Sequence, residues 1–342
     1  MTISHVCGSI IVQAKGSFLN GSGSVKEGKE AVGMPKAYQK NGILYPYVSA
    51  QCWRRWWKAS FVENILPAIA SDPIEKKYAT MQFLNPIDDI FGYFEASERK
   101  IDIADVNKVN VSQIRSSPVQ ITQLHPIQQL GSGTHPAILK DKAYVHLKEG
   151  TPLPYTSKFY NADLEAMFVI DVNRIASYTN FNDRQEFSPS TILEYQKSSH
   201  IVSIGPNRFQ ARDADILRKK RVIYTLESLL TINGGAKSAQ YGTDISPKAI
   251  LVAGTNGGNP LLSRALIMGK ERPRLDLDRL IAAVSSNPSL FETSVFCGIR
   301  QDYIENMAEL TTRKDEFKEK TGREIIACSP LDTINKLHEV MG

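Results

Sequence analysis

The chain has few cysteines, and neither they nor its histidines have the spacing of a metal site. Its 342 residues include four cysteines, none of them in a CxxC pair, and no two of its six histidines have HxxxH or HExxH spacing. Such spacings are typical of zinc sites. The sequence therefore predicts no metal site, no cofactor and no disulfide framework. We expect reduced, mostly buried thiols. The four cysteines are Cys7, Cys52, Cys297 and Cys328.

Long hydrophobic runs are also absent. No stretch approaches the roughly 18 consecutive apolar residues of a membrane span. The first residues, MTISHVCGSIIVQAKGS, lack a basic region followed by a long apolar run, so we expect no signal peptide and a cytoplasmic protein. Hydrophobic residues make up 42% and charged residues 23% of the chain, as in ordinary soluble proteins. A net charge of +5 is compatible with a polyanionic partner without being diagnostic of one.

Familiar catalytic motifs are missing as well. The stretch Asn233–Ser238, NGGAKS, ends like a P-loop, but Thr231 and Ala236 stand where that loop needs glycine, and it follows a predicted helix. This excludes an NTPase loop. A helix C-cap with a turn explains the stretch, and a backbone nest that binds phosphate with Lys237 is the alternative. There is no GxSxG element, and Asp88–Asp89 is more typical of a turn than of acid–base chemistry.

Predicted strands and helices mix without strict alternation. The predicted strands are His5–Phe18, Leu44–Val48, Ile87–Ala96, Ser117–Leu124, Ala162–Ile175, Lys248–Ala253, Thr293–Gly298 and Glu324–Cys328. The first predicted helix starts after Ser49 and stops before Pro67. The other predicted helices are Asp213–Thr231, Leu275–Val284, Tyr303–Lys320 and Leu331–Val340. Tyr178–Pro189 is predicted as a polar loop, and His125–Asn161 as a proline-rich arm with a hairpin. This mixture predicts an α+β fold with an antiparallel sheet and large insertions.

The segment Tyr45–Phe61, YPYVSAQCWRRWWKASF, is the most informative stretch of the chain. With Ser49 as N-cap, helical spacing places four polar residues on one face while the tryptophans and Phe61 pack inward. That polar face consists of Gln51, Arg54, Arg55 and Lys58. Like charges four residues apart destabilise an isolated helix by roughly 0.2–0.5 kcal/mol, which favours a face that binds phosphates. A solvated face over a buried tryptophan cluster is an equally good explanation.

Short polar and basic residues also stand at the ends of other elements. Lys15, Ser17 and Asn20 end the first strand and open a glycine-rich loop. Ser116 and Ser117 precede another predicted strand. Each group is weak evidence alone. Together with the helix face they predict contacts to a sugar–phosphate backbone that is read without base specificity.

Taken in chain order, these segments resemble the Cas7 backbone subunit of CRISPR–Cas effector complexes, and most of all its type I-B form, Cst2 or DevR. Leu19-Asn20 precedes a glycine-rich loop, and YPYVSAQCWRRWWK is similar to the family's Ser-x-Gln-x-x-(Lys/Arg)-(Lys/Arg) helix start. IFGYF, RSSPVQIT and a helix ending in Gly-Gly-Ala at 234–236 follow in the family's order. These landmarks span about residues 5–255, and the remainder adds no sharp motif.

The resemblance implies one unit over residues 1–342. An RRM-like (ferredoxin-like) antiparallel palm would carry helical and hairpin insertions, the fingers and the thumb, with 125–161 as the thumb. Several copies would stack along a CRISPR guide RNA and present it for pairing with one strand of target DNA. Its implied partners are other copies of itself and the Cascade subunits Cas5, Cas8, Cas6 and a Cas11-like protein, and it implies no enzymatic activity.

Carried over by position, the resemblance makes a set of residues guide-backbone contacts. They are Asn20, Ser49, Gln51, Arg54, Arg55, Lys58, Gly234, Gly235 and Lys237. Because the first strand has no aromatic residue, we expect RNA along loops and the helix, whereas RRM proteins stack bases on the sheet. Leu139, Tyr144 and Leu153 are candidates for a thumb residue that wedges between bases.

Two other functions remain open from the sequence. A type III-like target-RNA endonuclease would use a thumb aspartate, either Asp141 or Asp163. A small-molecule enzyme on an α+β scaffold is the third possibility, although the chain has no cofactor or metal motif to support it.

Overall fold

The computed structural model describes residues 3–27, 30–96, 100–101, 109–110, 112–127, 138–145, 153–181 and 184–342. The strands of this part are β1 His5–Ser17, β2 Gly21–Glu27, β3 Glu30–Pro35, β4 Ala37–Lys40, β5 Ile43–Pro46, β6 Tyr93–Glu95, β7 Lys100–Ile101, β8 Val109–Asn110, β9 Gln113–Arg115, β10 Val119–Ile121, β11 His125–Pro126, β12 Ile138–Val145, β13 Leu153–Asp171, β14 Ser177–Phe181, β15 Arg184–Gln185, β16 Ile201–Gly205, β17 Arg208–Ala211, β18 Ala249–Thr255, β19 Leu266–Met268, β20 Pro273–Leu275, β21 Val295–Ile299 and β22 Ile325–Cys328. The α-helices are α1 Ala50–Ser60, α2 Leu66–Ile69, α3 Lys76–Ala79, α4 Pro86–Phe91, α5 Pro189–Lys197, α6 Ala214–Leu230, α7 Ser238–Tyr241, α8 Leu277–Ser285, α9 Met307–Thr312, α10 Lys314–Thr321 and α11 Pro330–Met341.

The main sheet is built around β1. This strand pairs antiparallel with β13 on one side and with β18 on the other, and β10 and β11 pair antiparallel with the far edge of β13. In the chain, α1 lies between β1 and β10, and α6 lies between β13 and β18. The core of the sheet therefore has the order β18-β1-β13-β10/β11, with a helix in each of the two crossovers. The predicted α+β class is confirmed. Parallel pairs of β21 with β22 and of β3 with β13 make the whole sheet mixed.

Side chains of β1 alternate between two hydrophobic clusters. Val6, Ile10 and Val12 pack in the cluster that contains α1 and α6, whereas Cys7 and Ile11 pack in a second cluster on the opposite face. That second cluster is completed by residues between 262 and 325, including parts of α8 and α10. Both faces of the sheet are therefore covered, and β1 is almost wholly buried.

Strand β13 is 19 residues long and extends from the sheet into the arm. Its second part, from Tyr160 to Asp171, pairs with β1, and its first part, from Leu153 to Tyr160, pairs with β12. The hairpin expected in the arm is present, but the predicted boundary at Asn161 falls inside a continuous strand. Arm residues 128–137 and 146–152 lie outside the described residues.

The predicted strand at Ile87–Ala96 is wrong over its first half, where α4 extends to Phe91, and is confirmed only at β6. Asn85 is the N-cap, its Oδ1 accepting a hydrogen bond of 2.9 Å from the amide of Asp88, and Pro86 is the first helical residue. Both are helix-start signals. The run of aromatic residues that favoured a strand is divided between this helix and β6, and Gly92, at a φ of 77°, ends the helix.

Three further predictions need correction. Tyr178–Pro189 is not a polar loop, since β14 and β15 lie there and Tyr178 and Phe187 are buried. The helix predicted at Tyr303–Lys320 is two helices, α9 and α10, that meet at Arg313. The backbone after α1 stays helical past Pro67, through a π-helical turn at 61–65 into α2. Pro67 is tolerated there because it lies in the first turn of α2.

None of the described helices combines the length and apolar character needed to cross a bilayer.

Candidate nucleic-acid interface

Three segments meet at the amino end of α1. They are the residues that follow β1, the residues that end at Ser49 directly before the helix, and residues 233–237. The Oδ1 of Asn20 accepts hydrogen bonds from the amide of Ser49 at 3.0 Å and from its hydroxyl at 3.1 Å. The amide of Ala236 donates to the carbonyl of Leu19 at 2.8 Å. Ser49 occupies the N-cap position, but its hydroxyl bonds Asn20 instead of capping the helix. The structure therefore brings Asn20, Ser49 and the glycine pair together.

Gly234 and Gly235 allow their loop to lie directly against α1 and β1. A Cβ added to Gly234 would come within 2.4 Å of the Trp56 ring, and one added to Gly235 would lie 3.1 Å from Leu19 Cδ2. Close backbone approach of this kind requires glycine. The pair has a packing role here, whatever else the loop contacts.

The polar face of α1 lies above a buried tryptophan pair, as predicted. Trp53 and Trp57 stack at 5.5 Å, and their Nε1 atoms donate to the carbonyls of Thr122 and Thr225 at 2.7 and 2.9 Å. These contacts fix the helix between β10 and α6. On the opposite side, Gln51 and Arg55 are exposed, and Arg54 and Lys58 are half-buried. Among the described residues no carboxylate forms an ion pair with Arg54, Arg55 or Lys58, so these three cations remain available to an anion.

Arg54 lies at the wall of an open groove of about 590 Å³ that also includes Ser116 and Ser117. Its Nη2 donates to the carbonyl of Val119 at 3.0 Å, and burial lowers the pKa of the guanidinium. Ser116 is exposed, whereas the hydroxyl of Ser117 donates to the carbonyl of Ile90 at 2.8 Å. Three predicted site residues thus share one groove, separate from the cluster at the amino end of α1.

The remaining predicted residues lie near the end of β1. Lys237, in the left-handed conformation, donates a hydrogen bond to Ser157 Oγ, and its ammonium lies 5.0 Å from the centre of the Phe18 ring. Ser17 is fully buried, and its hydroxyl donates to the carbonyl of Lys15 and contacts Thr243. The hydroxyl of Ser17 is therefore used inside the protein, and in this group the exposed ammonium is that of Lys15.

Sequence reasoning missed two residues at these surfaces. The segment predicted as a glycine-rich loop is the antiparallel pair β2–β3. Lys36 follows β3, and its amide donates to the carbonyl of Asn20 at 2.6 Å. Its charge and that of Arg55 act on the Cys52 thiol, where they oppose the larger effect of burial, which raises the thiol's pKa. Phe94 lines the groove beside Arg54 and is 68% exposed. A basic residue directly after the glycine-rich segment was a usable signal for Lys36. The sequence gives no sign that Phe94 faces solvent.

A buried charge cluster lies behind the groove, and it corrects the interpretation of the paired acids as turn residues. Asp88 serves the start of α4, but Asp89 is fully buried and accepts hydrogen bonds from Arg115 at 2.6 Å and Arg221 at 2.7 Å. Arg221 also bonds both oxygens of Glu75. The cluster joins α4, β9 and α6, and so fixes the wall that carries the groove.

The two candidate nuclease aspartates are placed differently. Asp163 accepts a hydrogen bond of 2.7 Å from the Tyr303 hydroxyl and one of 3.3 Å from Gln13, and burial raises the pKa of its carboxyl. The side chain of Asp141 lies outside the described residues. Within the described ranges no group of three or more His, Cys, Asp or Glu side chains has a metal-binding arrangement.

No protein-family model and no curated protein matches the chain. Its fold is similar to that of a chain in a solved CRISPR RNA-guided surveillance complex, with a TM-score of 0.53 and 11% identity over 99% of this chain and 100% of that one. A chain of a CRISPR RNA-guided surveillance complex described as pre-nicking matches with a TM-score of 0.50 and 10% identity over the same shares. At such low identity the similarity shows a shared fold.

Proposed function

We propose that the chain is the guide-RNA-binding backbone subunit of a type I CRISPR surveillance complex, and that it acts by binding without catalysis. The observation that carries this proposal is the meeting of three segments at the amino end of α1, next to a helix face whose cations have no carboxylate partner among the described residues. The shared fold with surveillance-complex chains supports it. The type I-B branch stays a prediction from the sequence.

The topology of the sheet supports an RRM-like palm. Along the chain the elements follow the order strand–helix–strand–strand–helix–strand. In the sheet the strands lie in the order β18-β1-β13-β10/β11, and every one of these pairs is antiparallel. Ferredoxin-like folds have this arrangement. The β12–β13 hairpin would then be the thumb. The helical segment from α1 to α4, with the second sheet formed by β6, β9, β14, β15, β16 and β17, would be the fingers.

In this proposal the RNA backbone follows the polar face of α1. Phosphates would contact Gln51, Arg55 and Lys58, and the amino end of the helix adds the positive end of its dipole. Arg54 and Phe94 would take the strand into the groove, where an exposed aromatic ring offers a stacking surface to any base. The sheet face that RRM proteins use for RNA is covered here by residues 262–325, so the strand would run along loops and the helix.

Neighbouring copies would be joined along the RNA by the thumb hairpin, and the guide would supply sequence specificity by base pairing with target DNA. Backbone contacts of the kind described carry no base information. The proposal therefore predicts RNA affinity that depends strongly on salt and weakly on sequence.

A salt titration of RNA binding tests the proposed surface. Arg55→Ala and Lys58→Ala should each weaken binding to unrelated single-stranded RNAs by a similar factor. Each should also reduce the slope of log affinity against log salt by about 0.7 for every phosphate that the variant no longer neutralises. Lys314→Ala is the matched control, because Lys314 is exposed and lies on α10, on the opposite side of the sheet. Fluorescence anisotropy at four or more salt concentrations gives the slopes.

Copy number on RNA is the second readout. Native mass spectrometry on RNAs of increasing length should show a number of bound copies that rises in regular steps. Two results together would overturn the proposal. The salt slopes of the α1 variants would equal that of Lys314→Ala, and a single copy would bind at every RNA length.

A further inference from the structure

A second concave site lies on the side of the sheet away from α1 and α6. It has a volume of about 400 Å³ and is formed by β4, the segment from 122 to 127, β13, Arg264, β19 and α8. The residues that matter for its chemistry are Tyr38, His125, Glu165, Arg264 and Arg279. None of them belongs to the proposed RNA surface on α1.

Glu165 is the central group of this pocket. Its Oε1 accepts a hydrogen bond of 3.1 Å from the backbone amide of Arg264. In the described part of the chain its carboxylate forms no ion pair, and Oε2 has no hydrogen bond. Glu165 is half-buried, and solvent reaches Oε2. A ligand that carries N–H donors can therefore bond this oxygen by displacing water, because a carboxylate offers only acceptors.

The arginine that closes the pocket is held in a strained conformation. Arg264 is exposed and has a φ of 55°, which is unfavourable for a residue other than glycine. This conformation turns its amide to Glu165 while its guanidinium acts electrostatically on Tyr38, His125 and Glu165. Arg279 lies beside it and donates to the Arg264 carbonyl at 3.2 Å. Two guanidinium groups thus stand at the mouth without neutralising the carboxylate inside.

Aromatic rings form the side of the pocket near β4 and β11. Tyr38 and His125 meet edge to face at 5.7 Å, and Tyr47 stacks behind His125 at 6.0 Å. Burial and the nearby Arg264 lower the pKa of His125, which favours the neutral imidazole. The rings are therefore available to a flat, uncharged group.

We propose that this pocket binds a guanine nucleotide. The guanine base carries two adjacent N–H donors on one edge, which match a carboxylate that has only acceptors. Adenine, cytosine and uracil each present one donor with an acceptor beside it. Tyr38 and His125 supply the stacking contact used for unpaired bases, and Arg264 and Arg279 supply cations for the phosphate.

Calorimetric titration of the full chain with GMP, AMP, CMP and UMP at pH 8 tests the site for a free nucleotide. Fluorescence anisotropy with oligouridine strands that carry one central G, A or C tests it for a base in a strand. Glu165→Gln keeps an acceptor for the Arg264 amide but presents an amide N–H₂ to the base. The variant should lose a guanine preference of about tenfold. Glu339→Gln, an exposed residue of α11, is the matched control.

A guanine preference among free nucleotides that Glu165→Gln abolishes assigns the pocket to a mononucleotide. The same result with strands only assigns it to a base in a strand. No preference in either experiment, or a preference that survives in Glu165→Gln with an unchanged melting temperature, would overturn the inference. Arg55→Ala should lower the affinity for RNA strands without changing the base preference. If the proposal for the α1 surface is wrong, this variant keeps its affinity. If the proposal for the pocket is wrong, the natural chain shows no guanine preference that depends on Glu165.

Discussion

Asn20 connects the end of β1 to the start of α1 through a single side-chain oxygen. That oxygen accepts from both the amide and the hydroxyl of Ser49. The sequence was sufficient to select Asn20 and Ser49 as site residues, but it did not show that they bond each other. The long-range packing that brings residues 29 positions apart together has no local signature.

Substitution of Asn20 separates its structural role from binding. Asn20→Asp keeps the oxygen that accepts both hydrogen bonds and adds a negative charge at the amino end of a helix, where such charges are favourable. Its free energy of unfolding should be unchanged or slightly higher, while its RNA affinity should fall because the new charge repels phosphate. Asn20→Ala should lose about 1–3 kcal/mol of stability through an unsatisfied Ser49 amide. Urea denaturation and anisotropy, measured on both variants, check this.

An Asn20→Asp variant that binds RNA as well as the natural chain would show that no phosphate comes near Asn20. The proposed path of the strand past the amino end of α1 would then be wrong.

At the scale of elements, long patterns were predicted well and short ones poorly. β1, α6, β18 and α11 have clear periodicity or clear caps, and their predictions are confirmed within a few residues. The prediction at α4 failed because the helix is six residues long, too short to establish a helical period, so that only its cap residues could reveal it. In the segment 178–189, Tyr178 stacks on Phe187, and Phe83 and Tyr195 from other elements complete the packing. A local pattern cannot show those contacts from outside the segment.

The charge cluster behind the groove should dominate the stability of the elements that it joins. Asp89→Ala would leave the buried Arg115 and Arg221 without a shared partner, and removal of one member of a buried ion pair typically costs about 3–5 kcal/mol. Lys318→Ala is the contrast, since Lys318 and Glu324 are 62% and 53% exposed and such pairs contribute at most about 1 kcal/mol. Unfolding in urea at pH 7 measures both. Equal losses in the two variants would contradict a structural role for the cluster.

At the scale of the whole molecule, covering both faces of the sheet has an electrostatic cost at Glu165. Burial raises the pKa of its carboxyl to about 7, although Arg264 and Arg279 act in the opposite direction. In the unfolded chain the value is about 4.3. Between these two values the folded state binds more protons, so stability falls as the pH rises from about 4 to about 7.

The difference between the natural chain and Glu165→Gln isolates this effect. Relative to the variant, the natural chain should lose up to about 3 kcal/mol across that interval. Of the other groups that face Glu165, the pKa of His125 is lowered and that of Tyr38 is raised, and the remaining two are the guanidinium groups of Arg264 and Arg279. Thermal melts of both proteins at half-unit pH steps measure the difference. Parallel curves would show that the carboxylate is solvated.

The two half-buried cysteines provide a test of the RNA surface that needs no mutation. Cys52 lies in the first turn of α1 beside Lys36 and Arg55, whereas Cys328 lies at the end of β22, on the edge of the sheet. Burial raises the pKa of both thiols, and both are partly accessible. Cys7 and Cys297 are fully buried and should not react in the folded protein.

A strand that follows α1 covers Cys52 and leaves Cys328 open. At pH 8, bound RNA should therefore slow alkylation of Cys52 several-fold and leave the rate at Cys328 unchanged, with both rates read from the same sample by peptide mass spectrometry. Because the two thiols are compared within one molecule, a general stabilisation by RNA would slow both equally. Equal protection, or none at Cys52, would place the RNA on another surface.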